Sequence, residues 1–155
     1  MNTHARTRAL SMLHKHDQTV LFTDLCVTTT ILQTEMSEFH EIAGYKTKYK
    51  ITKQGSGSRV VSPKNVVTVH ATGIVRETNK KFWSTKDPGQ KPFTYEAGVG
   101  KVIAGWDQGC LGMKVGEERQ LIIPAHEGYG AAGFPAWGIP PGGTLDFTIS
   151  VLQIH

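Results

Sequence analysis

The stretch Val102-Ile-Ala-Gly-Trp-Asp-Gln-Gly-Cys-Leu-Gly-Met113 restricts the fold more than any other part of the chain. Val102, Trp106, Cys110 and Met113 recur at helical spacing and share one face, with Gly105, Gly109 and Gly112 between them. Each glycine costs a helix about 1 kcal/mol against alanine. So short and glycine-rich a segment does not stand alone as a helix in water. It needs neighbours to hold it, and residues without side chains let those neighbours come close. The flanking segments have strand character. The expected architecture is therefore a sheet wrapped over one short helix, with Trp106 as a flat surface between them.

The strands follow from alternation. In Tyr45–Lys53, Tyr45, Thr47, Tyr49 and Ile51 face one way and lysines the other, as in a half-buried strand at a sheet edge. Gln54–Ser58 reads as a flexible turn. Val66–Glu77 is the longest strand, with Val67, Val69 and Ala71 on one face; Gly73 marks a bulge or a close neighbour. Thr78-Asn79-Lys80 turns the chain into Lys81–Ser84, and Asp87-Pro88-Gly89 is a second turn. Pro92–Ala97, Arg119–Pro124 and Thr144–His155 complete the set, the last with Leu145, Phe147, Ile149 and Val151 on one face. Pro124 to Gly143 is a loop of roughly twenty residues, longer than compact domains usually carry without a function. Its Tyr129, Phe134, Trp137 and Ile139 are expected to help wall a site. Residues 1–40 show no period. Within them, 19–32 is either an added strand or an unstructured tail, and Thr34–His40 has room for one helical turn. The expected division is an extension over 1–43, partly disordered or used for targeting or docking, and a single domain over 44–155.

Charge divides the same way. Residues 1–44 hold three Lys/Arg and five Asp/Glu, whereas 45–155 hold fourteen and eight. No basic cluster is interleaved with aromatics, so a solvated lysine surface is expected rather than a nucleic-acid partner. No run approaches the roughly 20 apolar residues of a membrane span, so no membrane partner is expected. Cys26 and Cys110 form neither a disulfide framework nor a zinc pattern, and a buried reduced Cys110 suits a reducing compartment, the cytoplasm. Residues 1–16, with Arg6, Arg8 and Lys15 and no acid, leave a mitochondrial presequence as the alternative.

The usual catalytic constellations are missing. HEIAG (40–44) and HEGYG (126–130) lack the second histidine of a zinc site, and His14-x-His16 reads as a surface pair. Gly98-Val-Gly-Lys101 lacks the spacing of a phosphate loop, and no serine sits in a nucleophile elbow. His70 on a strand reads as a hydrogen-bonded structural histidine. No metal and no cofactor are expected. What remains is an apolar site walled by aromatics from several segments, or those same aromatics as plain core.

The order of residues from Val66 to Ile154 resembles the FKBP family of peptidyl-prolyl cis-trans isomerases. The resemblance is carried by VHATG (69–73), KKFWST (80–85), KPF (91–93), VIAGWDQG (102–109), IPAHEGYGAAG (123–133) and IPPGGTLDFTISVL (139–152). It implies an α+β fold, a curved antiparallel sheet of five or six strands around one short helix. It implies a proline pocket floored by Trp106, with Tyr129, Phe82 and Phe147 at the reacting bond. Phe93, Val102, Ile103, Ile139, Phe134 and Trp83 would bind substrate around it. The Ile103 N–H and the Tyr129 hydroxyl would donate to bound carbonyls, and Phe134 would sit on the rim. The chain departs from the family at three positions. Ala71 stands where tyrosine is common, Trp83 where aspartate is common, and Lys101 where an acid or glutamine is common. The loops 86–92 and 134–139 are each about one residue longer than in compact members. The apolar floor is kept, and the polar edge becomes a methyl and an indole.

The implied activity is rotation about X–Pro bonds in polypeptides, by a monomer, with macrolides such as tacrolimus and rapamycin as further ligands. The uncatalysed rotation takes tens to hundreds of seconds over a barrier of about 18–20 kcal/mol. No acid, base or metal is needed to lower it. A pocket that binds the same way without catalysing, a scaffold or chaperone module, is the alternative.

Overall fold

The computed structural model describes residues 27–31, 33–34 and 36–155. The expectations for Cys26, for the His14/His16 pair and for a presequence in 1–16 lie outside these residues. Contacts divide the chain into units Met1–Glu35 and Met36–His155. In the first unit the described residues are helical, and the Thr34 hydroxyl donates to the Thr30 carbonyl one turn back (3.0 Å). The described part of 19–32 is thus neither of the forms expected for it.

The second unit is built on nine strands: β1 (His40–Glu41), β2 (Lys48–Lys53), β3 (Ser56–Val60), β4 (Val66–Val75), β5 (Lys80–Ser84), β6 (Phe93–Glu96), β7 (Lys114–Val115), β8 (Glu118–Ile123) and β9 (Leu145–Ile154). The main sheet is antiparallel, in the order β1-β2-β8-β9-β4-β5. β6 also pairs with β4, at Val66–Val69, while β5 pairs at Thr72–Val75. The two short strands therefore lie end to end along one edge of β4. That edge and the two-residue β1 bring the main sheet to seven strands, against the five or six expected. β3 and β7 form a separate two-stranded sheet.

Alternation does what the sequence requires of it. Val67, Val69, Ala71 and Val75 of β4 are buried, as are Leu145, Phe147, Ile149 and Val151 of β9, and they share one core with Leu121 and Ile123 of β8. β3 lies where a flexible turn was expected. All five of its residues are exposed, so it has no buried face to announce it in the sequence.

The central helix covers Ala104–Gly109, half the expected span. Beyond it the chain continues in turns. Gly112 sits at φ +80°, while Cys110 and Met113 reach the core without being helical. The glycines explain how the helix is held. A β-carbon on Gly105 would lie 2.4 Å from Thr47 Oγ1 and 2.5 Å from Ile123 Cγ2, and one on Gly109 would lie 2.8 Å from Leu121. Only residues without side chains let the helix settle this closely on β8. Its C-terminal end is fixed by buried Arg119 of β8, which donates through one guanidinium nitrogen to the Gly109 (3.0 Å) and Leu111 (3.1 Å) carbonyls. The positive charge complements the end of the helix dipole. Its Nε pairs with Glu117 at 2.6 Å, so the buried guanidinium is not left without a counter-ion.

Candidate functional site

Ile103 caps the helix at its N-terminus, and its non-helical backbone (φ −55°, ψ 145°) lets the chain enter from the 98–102 turn. Asp107, one turn along and 3% exposed, fixes that turn. Its two carboxylate oxygens accept from the Gly98 (2.7 Å) and Gly100 (2.8 Å) amides. The Ile103 N–H finds no acceptor among the described residues, as expected of a donor in the first turn of a helix. Val102 and Ile103 are half-buried beside it.

Above the helix lies a cavity of ≈ 440 Å³. Small-molecule sites fall in this range. It is lined by Trp83, Phe93, Gly100, Lys101, Val102, Ile103, Trp106, Tyr129, Trp137 and Phe147. Trp106 is 4% exposed and opens onto this space. Rings brace it from several sides. Phe147 stands edge-on at 4.9 Å between centroids, Phe93 at 5.9 Å and Tyr95 at 6.0 Å, and Trp83 is tilted at 6.3 Å. Trp106 Nε1 and the Tyr95 hydroxyl are both buried, and neither makes a hydrogen bond of good geometry among the described residues. Burial raises the Tyr95 hydroxyl pKa above its usual value and pushes the adjacent Cys110 thiol up to about 12, which keeps that thiol protonated.

Tyr129 reaches the cavity from the turn that follows the 3₁₀ segment Ala125–Glu127. Glu127 anchors this turn to the segment before β2. Its carboxylate accepts from the Lys46 amide (2.7 Å), the Thr47 amide (2.8 Å) and the Thr47 hydroxyl (2.6 Å). Burial works to raise the Glu127 pKa, but these hydrogen bonds outweigh it and hold the group below the usual carboxylate range. Burial also raises Tyr129, so its hydroxyl stays a donor at neutral pH.

Seven of the sequence-derived site residues line the cavity: Trp83, Phe93, Val102, Ile103, Trp106, Tyr129 and Phe147. Phe82, Phe134 and Ile139 do not. Phe82 stands behind the wall, edge-on to Phe147 at 5.5 Å and packed on Gly73, where a β-carbon would lie 2.3 Å from its ring. Ile139 is 1% exposed, and its backbone pairs with Phe134 to close the loop. Phe134 stacks on the Tyr129 ring at 5.5 Å, outside the lining. Ala71 is also core, so the edge expected to be a methyl and an indole is formed by the indole alone.

Of the loop residues expected to wall the site, Trp137 and Tyr129 line the cavity, and Phe134 and Ile139 do not. The loop carries the 3₁₀ turn Pro135–Trp137, closed by Gly138 at φ +71°. This sets Trp137 parallel to Trp83, 5° between planes and 6.4 Å between centroids. The sequence marked Trp137 as a loop aromatic, but nothing in its spacing pointed to Trp83. His70 is structural, its Nδ1 2.9 Å from the Thr85 hydroxyl. No His, Cys, Asp or Glu side chain lines the cavity.

The pattern of the FKBP-type peptidyl-prolyl cis-trans isomerase family matches residues 57–152. The chain is 48% identical over 108 residues to the peptidyl-prolyl cis-trans isomerase FKBP12 of Arabidopsis thaliana, covering 68% of this chain and 96% of that one. It is 50% identical over 106 residues to the protein of the same name from Vicia faba, covering 67% and 94%. FK506-binding protein 1 of Debaryomyces hansenii is 44% identical over 109 residues, covering 70% and 95%. Among solved structures, the N-terminal domain of FKBP42 from Arabidopsis thaliana superposes with a TM-score of 0.69 at 25% identity, over 77% of this chain and 93% of that one. With a matching fold, and this identity over about two thirds of the chain, the chain belongs to the FKBP-type peptidyl-prolyl cis-trans isomerase family and is an isomerase.

Proposed function

We propose that the cavity over Trp106 receives the prolyl ring of a polypeptide and eases rotation about the bond before it, without a covalent intermediate. The observation that carries this reading is the lining itself: an indole floor, aromatic and aliphatic walls, and few polar groups. A planar amide is stabilised by resonance and charge separation. The twisted amide at the top of the barrier has lost both, and water favours the planar form over it. Moving the bond into an apolar hollow removes that preference. A thousandfold acceleration needs only about 4 kcal/mol.

In this reading Trp106 fixes the ring. The unpaired Ile103 N–H and the Tyr129 hydroxyl hold the carbonyls on either side. Trp83, Trp137, Phe93, Val102 and Phe147 exclude water. Phe82 supports Phe147, Ile139 holds the loop, and Phe134 braces Tyr129. Substrates are proline-containing polypeptides, and macrolides of the tacrolimus and rapamycin type compete for the same walls. Residues 44–155 act as the isomerase domain, as a monomer, with 1–43 as its extension. The whole cavity lies inside Met36–His155, which supports that division.

The test is a protease-coupled isomerisation assay on a Leu-Pro tetrapeptide, with the full chain. A rate well above the uncatalysed one, abolished by a competing macrolide, is expected. An uncatalysed rate in the presence of macrolide binding would overturn catalysis and leave a binding module.

A further inference from the structure

The cavity carries one full charge. Of its ten lining residues only Lys101 is of a basic or acidic type that carries a full charge. Lys101 is exposed and enters no hydrogen bond or ion pair among the described residues. Most lysines of the domain are likewise without an ion pair, and only Lys48 and Lys81 have one among the described residues; Lys101 differs from the others in lining the cavity. The backbone that presents Lys101 is not free to drift. The residue before it, Gly100, is tied through its amide to Asp107 of the helix that also carries Trp106. Both oxygens of Asp107 are taken by main-chain amides, and Asp107 lies outside the lining. A lysine without an ion-pair partner thus borders a hollow whose other side chains are indole, phenyl, phenol and aliphatic. Over such walls a charge is screened less than in open water, and the cleft concentrates its field.

We infer that Lys101 makes this mouth selective for anionic substrates, in which a residue adjoining the proline carries a carboxylate or a phosphoryl group. The inference rests on the isomerase reading and names its substrate class. Lys101 is a specificity-determining residue; the rotation itself is left to the apolar floor. At the partly solvated distances of a pocket mouth, one such pair changes kcat/KM by about three- to tenfold at low salt, and the effect fades as salt rises. A phosphoryl group, with a charge of about −1.5 to −2 at neutral pH, pulls harder than a carboxylate.

The experiment uses the full chain and exchange NMR, which needs no coupling protease. Two peptide sets vary one residue, before the proline in the first and after it in the second, among Leu, Glu, phosphoserine and Lys. The expected result is a Glu-to-Lys rate ratio of about three to ten in at least one set, shrinking in high salt. The ratio should fall to about one in Lys101→Met and invert in Lys101→Glu. Each ratio is taken within one variant, so a partial loss of folded protein cancels. Phosphoserine faster than Glu assigns phosphorylated clients; phosphoserine equal to or slower than Glu assigns acidic ones. A ratio near one in both sets, or one that neither substitution moves, overturns the selectivity while acceleration of the Leu peptide leaves the isomerase standing. No acceleration of any peptide, Leu included, overturns both.

Discussion

The helix Ala104–Gly109 has two sides that obey opposite rules. Toward β8 it shows glycines, and there β-carbons would meet their neighbours at 2.4 to 2.8 Å. Backbone, Thr47, Leu121 and Ile123 fill that side completely. Toward the cavity it shows Trp106, among the largest side chains in the protein, and yet ≈ 440 Å³ stays open above it. Residues without side chains let the helix pack closely against β8, whereas on the other side the walls are held apart and the hollow stays open. Polar groups divide in the same way. On the packed side Thr47, Glu127, Arg119 and Glu117 satisfy one another. On the open side the Ile103 N–H and Lys101 have no partners among the described residues. One face holds the fold, and the other is left unsatisfied for a ligand to complete.

The largest effect expected from breaking this division is at Trp106. Trp106→Ala removes the floor and costs about 3–5 kcal/mol of stability. Isomerase activity should vanish in the fraction that remains folded, as read by activity per folded molecule alongside circular dichroism. Retained activity in folded protein would mean that the hollow is not where the bond turns.

On the packed side, Gly105→Ala adds only a methyl. Helix propensity favours it by about 1 kcal/mol. The contacts at Thr47 and Ile123 oppose it by up to about 3 kcal/mol. The net change should be destabilising, visible as a lower urea midpoint, with kcat/KM per folded molecule little altered. A stabilised Gly105→Ala would show that β8 can move away and that the close approach is not a constraint.

A comparable loss, of about 2 kcal/mol near neutrality, is expected for Glu127→Gln, which replaces a triple acceptor with a group that brings its own donors. The sign with pH follows from the lowered pKa of Glu127. A depressed carboxylate pKa stabilises the fold above the ordinary value of 4.5, and the contribution is lost as pH falls through the folded-state value. Melting curves of the two proteins should therefore differ most at neutral pH and converge in acid. Curves that stay parallel down to strong acid would remove the carboxylate from this role. Because Glu127 fixes the turn that carries Tyr129, the variant should also lose macrolide affinity.

The packed side was largely legible in the sequence. Alternation in Val66–Glu77 and Thr144–His155 located β4 and β9, and the glycines of the helix announced a close neighbour. Its length was overread, because Cys110 and Met113 keep the helical period while the chain only turns, with Gly112 at positive φ. The open side was legible only in part. Trp106, Ile103 and Tyr129 stood out as aromatic or apolar residues of a wall and took their roles from the family resemblance, whereas the meeting of Trp137 with Trp83 depends on a 3₁₀ turn and a Phe134–Ile139 bridge, neither of which has a period. β3 escaped notice because pairing without burial leaves no pattern to read.

That indole pair is where the two sides can be made to trade character. Trp83 touches Trp106, Phe93 and Trp137, all across the open face, and stands where the family commonly places an aspartate. Trp83→Asp removes three ring contacts, each worth about 0.5–1.5 kcal/mol, so the free protein should lose some stability. It also opens the mouth and supplies an acceptor beside the floor. A macrolide with a hydroxyl there should bind about tenfold more tightly, since one hydrogen bond to a charged group is worth about 1.5–3 kcal/mol and part of that is lost to desolvation. Titration calorimetry with tacrolimus on both proteins measures this directly. Binding that is unchanged or weaker would mean that the two tryptophans contribute to the site as they stand, and that the open face is already matched to its ligand.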